Sequence, residues 1–184
     1  MLTLFHDYTD PASAVAALRL QRLADEGLAV AFEGFDAVGI DATVPPTPDV
    51  LARVADLRPA AAQLGLVLRR PRALPPTGPA HLVGEVAERR GLGASWRQTC
   101  YRAVWERCAD LGDRHVLANL ATRAGLEGTE AEDALDDRAL LASVRRRMAS
   151  RRRLGVGGVP IILAGGTLVP GLLDEPDLRT LAVL

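Results

Sequence analysis

The sequence predicts an α/β protein whose single sheet is interrupted by an all-helical insertion. Short apolar runs typical of strands lie near both ends of the chain, and between them every window from Ala80 to about Arg153 has helical periodicity. A hydrophobic share of 48% is enough for a real core in a chain of 184 residues. The predicted units are a discontinuous α/β domain at 1–74 and 155–184 and a helical insertion at 75–154.

The N-terminal segment predicts a direct β–α–β crossover. Leu2–Phe5 is a short apolar run, and Leu28–Phe35 alternates apolar with small or polar residues, as a strand does. Between them, Asp10 and Pro11 are a good helix start, because Asp is a favoured N-cap and proline a favoured first helical residue. Gly27 should end that helix.

The next segment predicts one helix and one short strand. The helix begins near Pro48 and runs to about Leu64, and Pro59 inside it should interrupt or kink it. Leu66–Leu68 is a candidate third strand, followed by a proline-rich segment without regular structure.

The insertion and the C-terminal segment are divided by glycines and N-cap residues. Gly165-Gly166 is a two-residue hairpin turn signal between two short strands. A terminal helix from Asp174 has Leu178, Leu181 and Leu184 on one side. The predicted helices of the insertion are 80–90, 94–110, 113–124, 129–136 and 137–153, and the predicted hairpin strands are 159–164 and 167–169.

The charge composition excludes several classes of function. A net charge of −1 gives no electrostatic footprint for nucleic acid, so we expect no nucleic-acid partner. All 22 basic residues are arginine, which excludes a catalytic lysine or a phosphate-loop lysine. Two arginine triplets, 145–147 and 151–153, are typical of a solvated face offset by the acidic residues at 127–137.

The chain has no pattern that predicts a secreted or membrane protein. Its N-terminus lacks a basic stretch followed by a long apolar run, and no run of about 18 apolar residues occurs. We therefore expect a cytoplasmic protein without a membrane partner.

The cysteines do not form a disulfide framework. Cys100 and Cys108 lie eight residues apart on one predicted helix. That separation is a rise of about 12 Å, whereas a disulfide needs Cα atoms within about 7 Å. We expect both to be small apolar fillers of the insertion.

Three local patterns resemble the DsbA-like branch of the thioredoxin superfamily, which includes FrnE-type proteins and the kappa-class glutathione transferase/2-hydroxychromene-2-carboxylate isomerase group. The first pattern is the strand–loop–helix start that contains Asp10-Pro11-Ala12-Ser13. The second is Gly155-Val156-Gly157-Gly158-Val159-Pro160 before a hairpin, and the third is the insertion, with its Arg102–Trp105 and Asp113–Leu126 stretches.

This resemblance implies a thioredoxin-like fold, a site at the start of the first helix, and a cis proline at Pro160 beside it. The family has Cys-Pro-x-Cys at the helix start and the kappa group Ser-Pro-x-Ser, whereas this chain has Asp10 in the nucleophile position and Ser13 in the resolving position. Dithiol–disulfide chemistry is therefore absent by composition. The candidate catalytic residues are Asp10 and Ser13, and the candidate ligand-binding residues are His6, Tyr8, Pro11, Val159 and Pro160.

Each candidate also has a purely structural interpretation. Asp10 is a good N-cap, and as a carboxylate at a helix N-terminus it should have a lowered pKa and be a poor base. Ser13 fits as a small helix residue, and Pro160 could simply shape the hairpin. His6 and Asp7 form a His/Asp/Asp cluster with Asp10, but we predict no metal site and expect His6 to line a pocket with Tyr8.

Three hypotheses of function follow. The first is a redox-inactive protein that binds a small molecule or peptide in the groove between the helix start and Pro160, where the Val159 backbone could pair with an extended ligand. The second is a transferase or isomerase that uses glutathione or another low-molecular-weight thiol, with Ser13, Tyr8 or His6 as helpers; no cofactor is certain. The third is an interaction or chaperone-like module that works through the insertion. A homodimer is possible.

Overall fold

A computed structural model describes residues 1–170 and 172–183, which form a four-stranded mixed sheet and eight helices. The predicted α/β class with a large helical insertion is confirmed. None of the described helices is long and apolar enough to cross a membrane. The strands are β1 (Leu2–His6), β2 (Val30–Gly34), β3 (Ile161–Ala164) and β4 (Thr167–Pro170). The helices are α1 (Pro11–Asp25), α2 (Pro48–Gln63), α3 (Gly78–Arg89), α4 (Gly93–Arg107), α5 (Arg114–Ala124), α6 (Gly128–Asp136), α7 (Arg138–Arg153) and α8 (Glu175–Ala182).

The sheet has the strand order β2-β1-β3-β4, so segments from both ends of the chain meet at β1. β1 pairs in parallel with β2 and antiparallel with β3, with Phe5 opposite Ile161. The predicted crossover and hairpin are confirmed. The hairpin turn needs Gly165 and Gly166, because both have positive φ, at 53° and 85°. β3 begins later than predicted, so Val159 and Pro160 precede the strand.

Helix α1 packs its apolar face on the sheet. Asp10 is its N-cap, with extended backbone (φ −97°, ψ 120°), and Pro11 begins the helix. Val15, Leu20 and Leu23 are fully buried in the main core, and each contributes about 1.5–3 kcal/mol relative to an exposed side chain. This burial holds α1 against the sheet.

The helices of the insertion lie within three residues of their predicted bounds. The aromatic residues Trp96, Tyr101 and Trp105 of α4 are fully buried and join the insertion to the main core. Cys100 is buried as expected, but the prediction for Cys108 is wrong: α4 ends before it, and it is an exposed C-cap in the left-handed conformation (φ 53°).

The strand predicted at 66–68 and an interruption of the helix at Pro59 are both absent from the described residues. Leu66–Leu68 alternates buried, exposed and buried like a strand, but it packs on helices, and the next amide, Arg69 N, donates to the Trp105 carbonyl oxygen at 3.0 Å. Helix α2 also runs through Pro59 without interruption. Pro59 is exposed, so water can satisfy the carbonyl that lacks its usual N–H partner.

Arg145, Arg146, Arg152 and Arg153 of α7 are exposed as expected, whereas Arg147 and Arg151 are half-buried. Of the ion pairs that the α7 arginines form, those of Arg145 and Arg151 join the insertion to β2 and the loop after it, and that of Arg147 lies within the insertion. The partners of these three arginines are not the acidic residues at 127–137 but carboxylates of β2, of the loop after it and of α3. The Arg151 side chain also lies over the Phe5 ring on the second face of the sheet, with its guanidinium carbon 5.6 Å from the ring centroid. The ion pairs are Arg145–Asp41, Arg147–Glu85 and Arg151–Glu33.

The C-terminal helix agrees with its prediction over the described residues. Asp174 is the N-cap of α8 and accepts a hydrogen bond from Asp177 N at 3.0 Å. Leu178 is buried and Leu181 half-buried against the main core. Leu184, predicted on the same side, lies outside the described residues.

Candidate functional site

The start of α1 and the segment Val159-Pro160 lie at the same end of the sheet. β1 leads directly into the loop at 7–10 that precedes α1. Because Phe5 pairs with Ile161, the preceding Pro160 lies beside the end of β1. The Val159–Pro160 peptide bond is cis. The fold thus brings together the two separate segments that contain the predicted site residues.

Asp10 is held from two sides. One carboxylate oxygen, Oδ2, accepts a hydrogen bond from Ser13 N at 2.6 Å, and Oδ1 lies 3.2 Å from Nη1 of Arg53 on α2. The Asp10 side chain is 14% exposed. Sequence reasoning missed Arg53, because only the packing of α2 on α1 brings it close to Asp10.

The expectation of a lowered pKa for Asp10 is wrong. Burial raises the pKa of this carboxyl above its ordinary value, and this outweighs the lowering by the hydrogen bond from the Ser13 amide and by the Arg53 charge. Asp10 can therefore take up a proton more readily than an ordinary exposed aspartate.

Ser13 lies in the interior of the first turn of α1 and is fully buried. Its hydroxyl oxygen has no hydrogen-bond partner among the described residues. Buried hydroxyls normally have a partner, so Ser13 is an exception within the helix start. Pro11 is also buried, so its ring helps to form the helix start rather than an exposed surface.

Behind the helix start lies a buried cluster of polar aromatic and acidic side chains. His6, Asp7, Tyr8, His81 and Tyr101 are each 3% exposed or less. The Tyr101 hydroxyl and His6 Nδ1 are 2.9 Å apart, and His81 Nε2 lies 3.7 Å from Asp7 Oδ1. The Tyr8 and His81 rings stack with centroids 4.8 Å apart. His6 and Tyr8 are thus parts of the interior, and neither is exposed enough to form a pocket wall by itself.

Burial controls the protonation of this cluster. It holds the pKa of His6 well below its ordinary value, and the charges of His81 and Arg97 act in the same direction. Burial also raises the pKa of Tyr8 and Tyr101 well above the ordinary value. Near neutral pH, His6 is therefore a neutral imidazole between two neutral phenols.

Asp7 joins the two loops next to the groove. Its Oδ2 accepts a hydrogen bond from Ala37 N at 2.8 Å, and its Oδ1 is 3.5 Å from Thr9 N. Burial would raise the pKa of Asp7, but the neighbouring His81 and the amide of Ala37 lower it below its ordinary value. The ionised carboxylate therefore links the loop after β2 to the loop before α1.

The sequence did not reveal His81 or Tyr101 as part of this region, because both come from the insertion, far from His6 along the chain. Gly34 makes room for His81: an ideal Cβ there would overlap His81 Nδ1 and lie 3.0 Å from its Cγ. A glycine at the end of β2 was a possible signal of close approach, but nothing in the sequence showed what approaches it.

The His6, Asp7 and Asp10 side chains do not converge on a common point. His6 bonds Tyr101, Asp7 bonds Ala37, and Asp10 pairs with Arg53. In the described part of the chain, no group of three or more His, Cys, Asp or Glu side chains is placed to hold a metal ion.

Val159 lies beside the end of β1, next to the cis Pro160. It is half-buried and packs on the apolar cluster of Phe5, Phe35, Val156 and Ile161. It precedes β3, and its backbone groups take part in none of the loop hydrogen bonds found among the described residues.

Comparison with known proteins gives one family and several similar structures. The family model of the DSBA-like thioredoxin domain matches residues 1–182. No curated protein sequence matches the chain.

Among solved structures, the chain is similar to a probable DsbA oxidoreductase from Streptomyces coelicolor (TM-score 0.82, 23% identity, 99% of this chain and 88% of that chain). It is also similar to a 2-hydroxychromene-2-carboxylate isomerase (TM-score 0.79, 19% identity, 99% and 92%). A third similar structure is the cytosolic disulfide reductase DsbM from Pseudomonas aeruginosa with GSH (TM-score 0.65, 26% identity, 98% and 92%).

Proposed function

The chain belongs to the DSBA-like thioredoxin domain family, and we propose that it is a member without a redox dithiol that binds a peptide or small molecule. The proposed binding groove lies between the start of α1 and Val159-Pro160. One observation carries this proposal: the Asp10 carboxylate accepts the hydrogen bond from Ser13 N. That amide is therefore not free to bind an anion at the helix start.

The chemistry of the helix start supports a binding role over a redox role. A carboxylate has no dithiol–disulfide couple, and neither cysteine is part of the helix start: Cys100 is buried within α4, and Cys108 is the C-cap of that helix. Burial also raises the pKa of the Cys100 thiol well above its ordinary value, which makes it a poor nucleophile.

The chemistry of the opposite wall supports an extended ligand. The backbone of Val159 is outside the sheet ladder, so an extended peptide could pair with it as an added strand does. Val38 and Ile40 are each 49% exposed, and both lie with Thr9 around a small cleft beside the helix start. These side chains would provide apolar contacts next to Asp10.

A thiol-dependent transferase or isomerase is the second candidate, and the GSH-bound DsbM supports it. On this reading Ser13 would hold the thiol of glutathione or a related compound. Asp10 weakens the reading, because a thiolate brought to the start of α1 would meet a carboxylate that already occupies the Ser13 amide.

The third candidate, an interaction or chaperone-like module, has less support. It needs an exposed apolar patch on the insertion. The most exposed large apolar residues in the described chain include only one from the insertion, Leu154 at its end.

Amide NMR mapping tests the proposal. Reduced, carboxymethylated insulin B chain, an extended peptide without thiols, is titrated into the labelled protein. We expect saturable shifts at the amides of Thr9, Asp10 and Val159. Val38→Ser should weaken binding, whereas Val67→Ser, which removes a similarly exposed valine elsewhere, should not.

Two outcomes would contradict the proposal. One is the absence of saturable shifts at millimolar peptide. The other is a saturable shift with reduced glutathione at the same amides but none with the peptide, which would move the thiol-dependent enzyme to first place.

A further inference from the structure

A second cleft lies between the loop at 36–41 and the helices α3, α6 and α7, and it shares this loop with the small cleft of Val38 and Ile40. Its volume is about 520 Å³, within the range typical of small-molecule sites. None of Asp10, Ser13 or Pro160 lines it. A ligand here would therefore be recognised by residues that the proposed function does not use.

The floor of this cleft is apolar. Leu82 of α3 and Val144 and Met148 of α7 form a separate apolar cluster, and each is between 4% and 8% exposed. Leu141 adds to it from one turn earlier on α7. Positions 141, 144 and 148 follow the spacing of one helical face, so α7 presents a continuous apolar stripe to the cleft.

The same face of α7 places two arginines at the mouth. Arg145 lies 3.5 Å from Asp41, but the two side chains are 65% and 77% exposed, so this pair contributes little to stability and can open readily. Arg152 donates to the main-chain carbonyl oxygen of Asp36 at 2.6 Å and lies over the Phe35 ring. It forms no ion pair with any residue that the structure describes.

The other charged groups at the mouth have hydrogen-bond partners, but the Asp36 carboxylate, like Arg152, has no ion pair among the described residues. Asp36 Oδ1 accepts from Gly39 N at 2.6 Å. Arg114 makes two hydrogen bonds of 2.8 Å to the carboxylate of Asp136. Three arginines and two aspartates therefore line the cleft, and Arg152, which donates only to a neutral carbonyl, lies beside the apolar floor.

From this combination we infer that the cleft binds an amphipathic carboxylate, with its apolar chain on Leu82, Val144 and Met148 and its carboxylate on Arg152. Arg145 is the second cation within the same helical face, and it can exchange Asp41 for the ligand. An uncharged molecule would leave Arg152 without a counter-ion, and a cation would face both arginines.

Calorimetric titration with octanoate, decanoate and 1-octanol tests this inference on the full chain. Octanoate should bind saturably and more tightly than 1-octanol, which has the same chain length without the charge. Each buried methylene should tighten binding about fourfold, so decanoate should bind about fifteenfold more tightly than octanoate.

Three variants locate the site. Arg152→Ala should weaken octanoate binding about tenfold and leave 1-octanol binding unchanged, since a charge-assisted hydrogen bond is lost. Met148→Glu should abolish octanoate binding by placing a negative charge on the floor. Arg146→Ala is the matched control, because it removes the same charge from the same helix at an exposed residue that does not line the cleft.

The inference is overturned if octanoate shows no saturable binding at millimolar concentration. It is equally overturned if 1-octanol binds wild type as tightly as octanoate, or if Arg146→Ala weakens binding as much as Arg152→Ala. Thermal melts of all variants establish whether each is folded. Arg152→Ala and Arg146→Ala change exposed residues, so these two variants can be compared even if Met148→Glu does not fold.

Discussion

The close approach of His81 to Gly34 gives a quantitative prediction for Gly34→Ala. In an ordinary strand, replacing glycine by alanine stabilises a protein by about 0.5–1 kcal/mol. Here the new Cβ would overlap Nδ1 of the buried His81 ring. The ring cannot move away freely, because it stacks on Tyr8 with centroids 4.8 Å apart and lies 3.7 Å from Asp7 Oδ1.

We therefore expect overpacking to outweigh the backbone gain. Inserting a methyl group into a packed core costs about 1–3 kcal/mol. After subtraction of the backbone gain, the net cost is at most about 2.5 kcal/mol. For a chain of this size, each kcal/mol corresponds to about 2–4 °C in Tm, so Gly34→Ala should lower Tm by up to about 10 °C. Gly158→Ala is the control, since an added Cβ there would meet no atom within 4 Å.

Thermal melts and urea titrations of a double-mutant cycle provide the assay. His81→Ala removes the ring that Gly34→Ala would strike, so the double variant should be more stable than the sum of the two single changes predicts, by about 1 kcal/mol or more. The reasoning is refuted if Gly34→Ala melts with wild type, or if the two changes are additive within about 0.5 kcal/mol.

Three further predictions concern the residues around the site. Arg151→Ala should lower the free energy of unfolding in urea titration by about 1–2 kcal/mol, because it removes two half-buried hydrogen bonds to Glu33, of 3.0 and 2.8 Å. Unchanged stability would show that the Arg151–Glu33 pair does not stabilise the fold. Asp10→Ala should cost about 1 kcal/mol through loss of the N-cap, with Asp10→Asn close to wild type. Folding lowers the pKa of His6, so the contribution of His6 to folding stability is complete above pH 6.5 and is lost as the pH falls from there through the folded pKa. Folding also lowers the pKa of Asp7, so the contribution of Asp7 is lost in the same direction as the pH falls below about 3.8. Stability measured against pH should therefore fall from about pH 6.5 downwards, and a His6→Asn variant that keeps the same slope above pH 5 would contradict this assignment.

Local signals in the sequence were sufficient for most of the fold. Asp10-Pro11 predicted the start of α1, and Gly165-Gly166 predicted the hairpin, because both depend on the conformational preferences of a few adjacent residues. The false strand at Leu66–Leu68 shows the limit of such signals. Its buried and exposed residues do alternate, but the segment packs against helices and pairs with no strand that the structure describes. The tertiary fold decides this, and the local sequence does not show it.

The candidate site was predictable only in part. Asp10, Ser13 and Pro160 were identified because their segments resemble known motifs. Arg53 and His81 were not, since each comes close to the site only when helices distant in sequence pack together. The pKa of Asp10 was predicted in the wrong direction for the same reason: the helix N-terminus is visible in the sequence, whereas the burial that outweighs it is not.

The most direct test of the central claim is an insulin reduction assay with dithiothreitol, comparing wild type with an Asp10→Cys/Ser13→Cys double variant. The account predicts that wild type does not accelerate insulin precipitation, because the helix start has no thiol. The double variant should accelerate insulin precipitation, because it places cysteines at both positions of the family motif beside the unchanged Pro160. Acceleration by wild type would contradict the claim that the redox function is absent. A folded double variant without activity would contradict the claim that the groove is preserved.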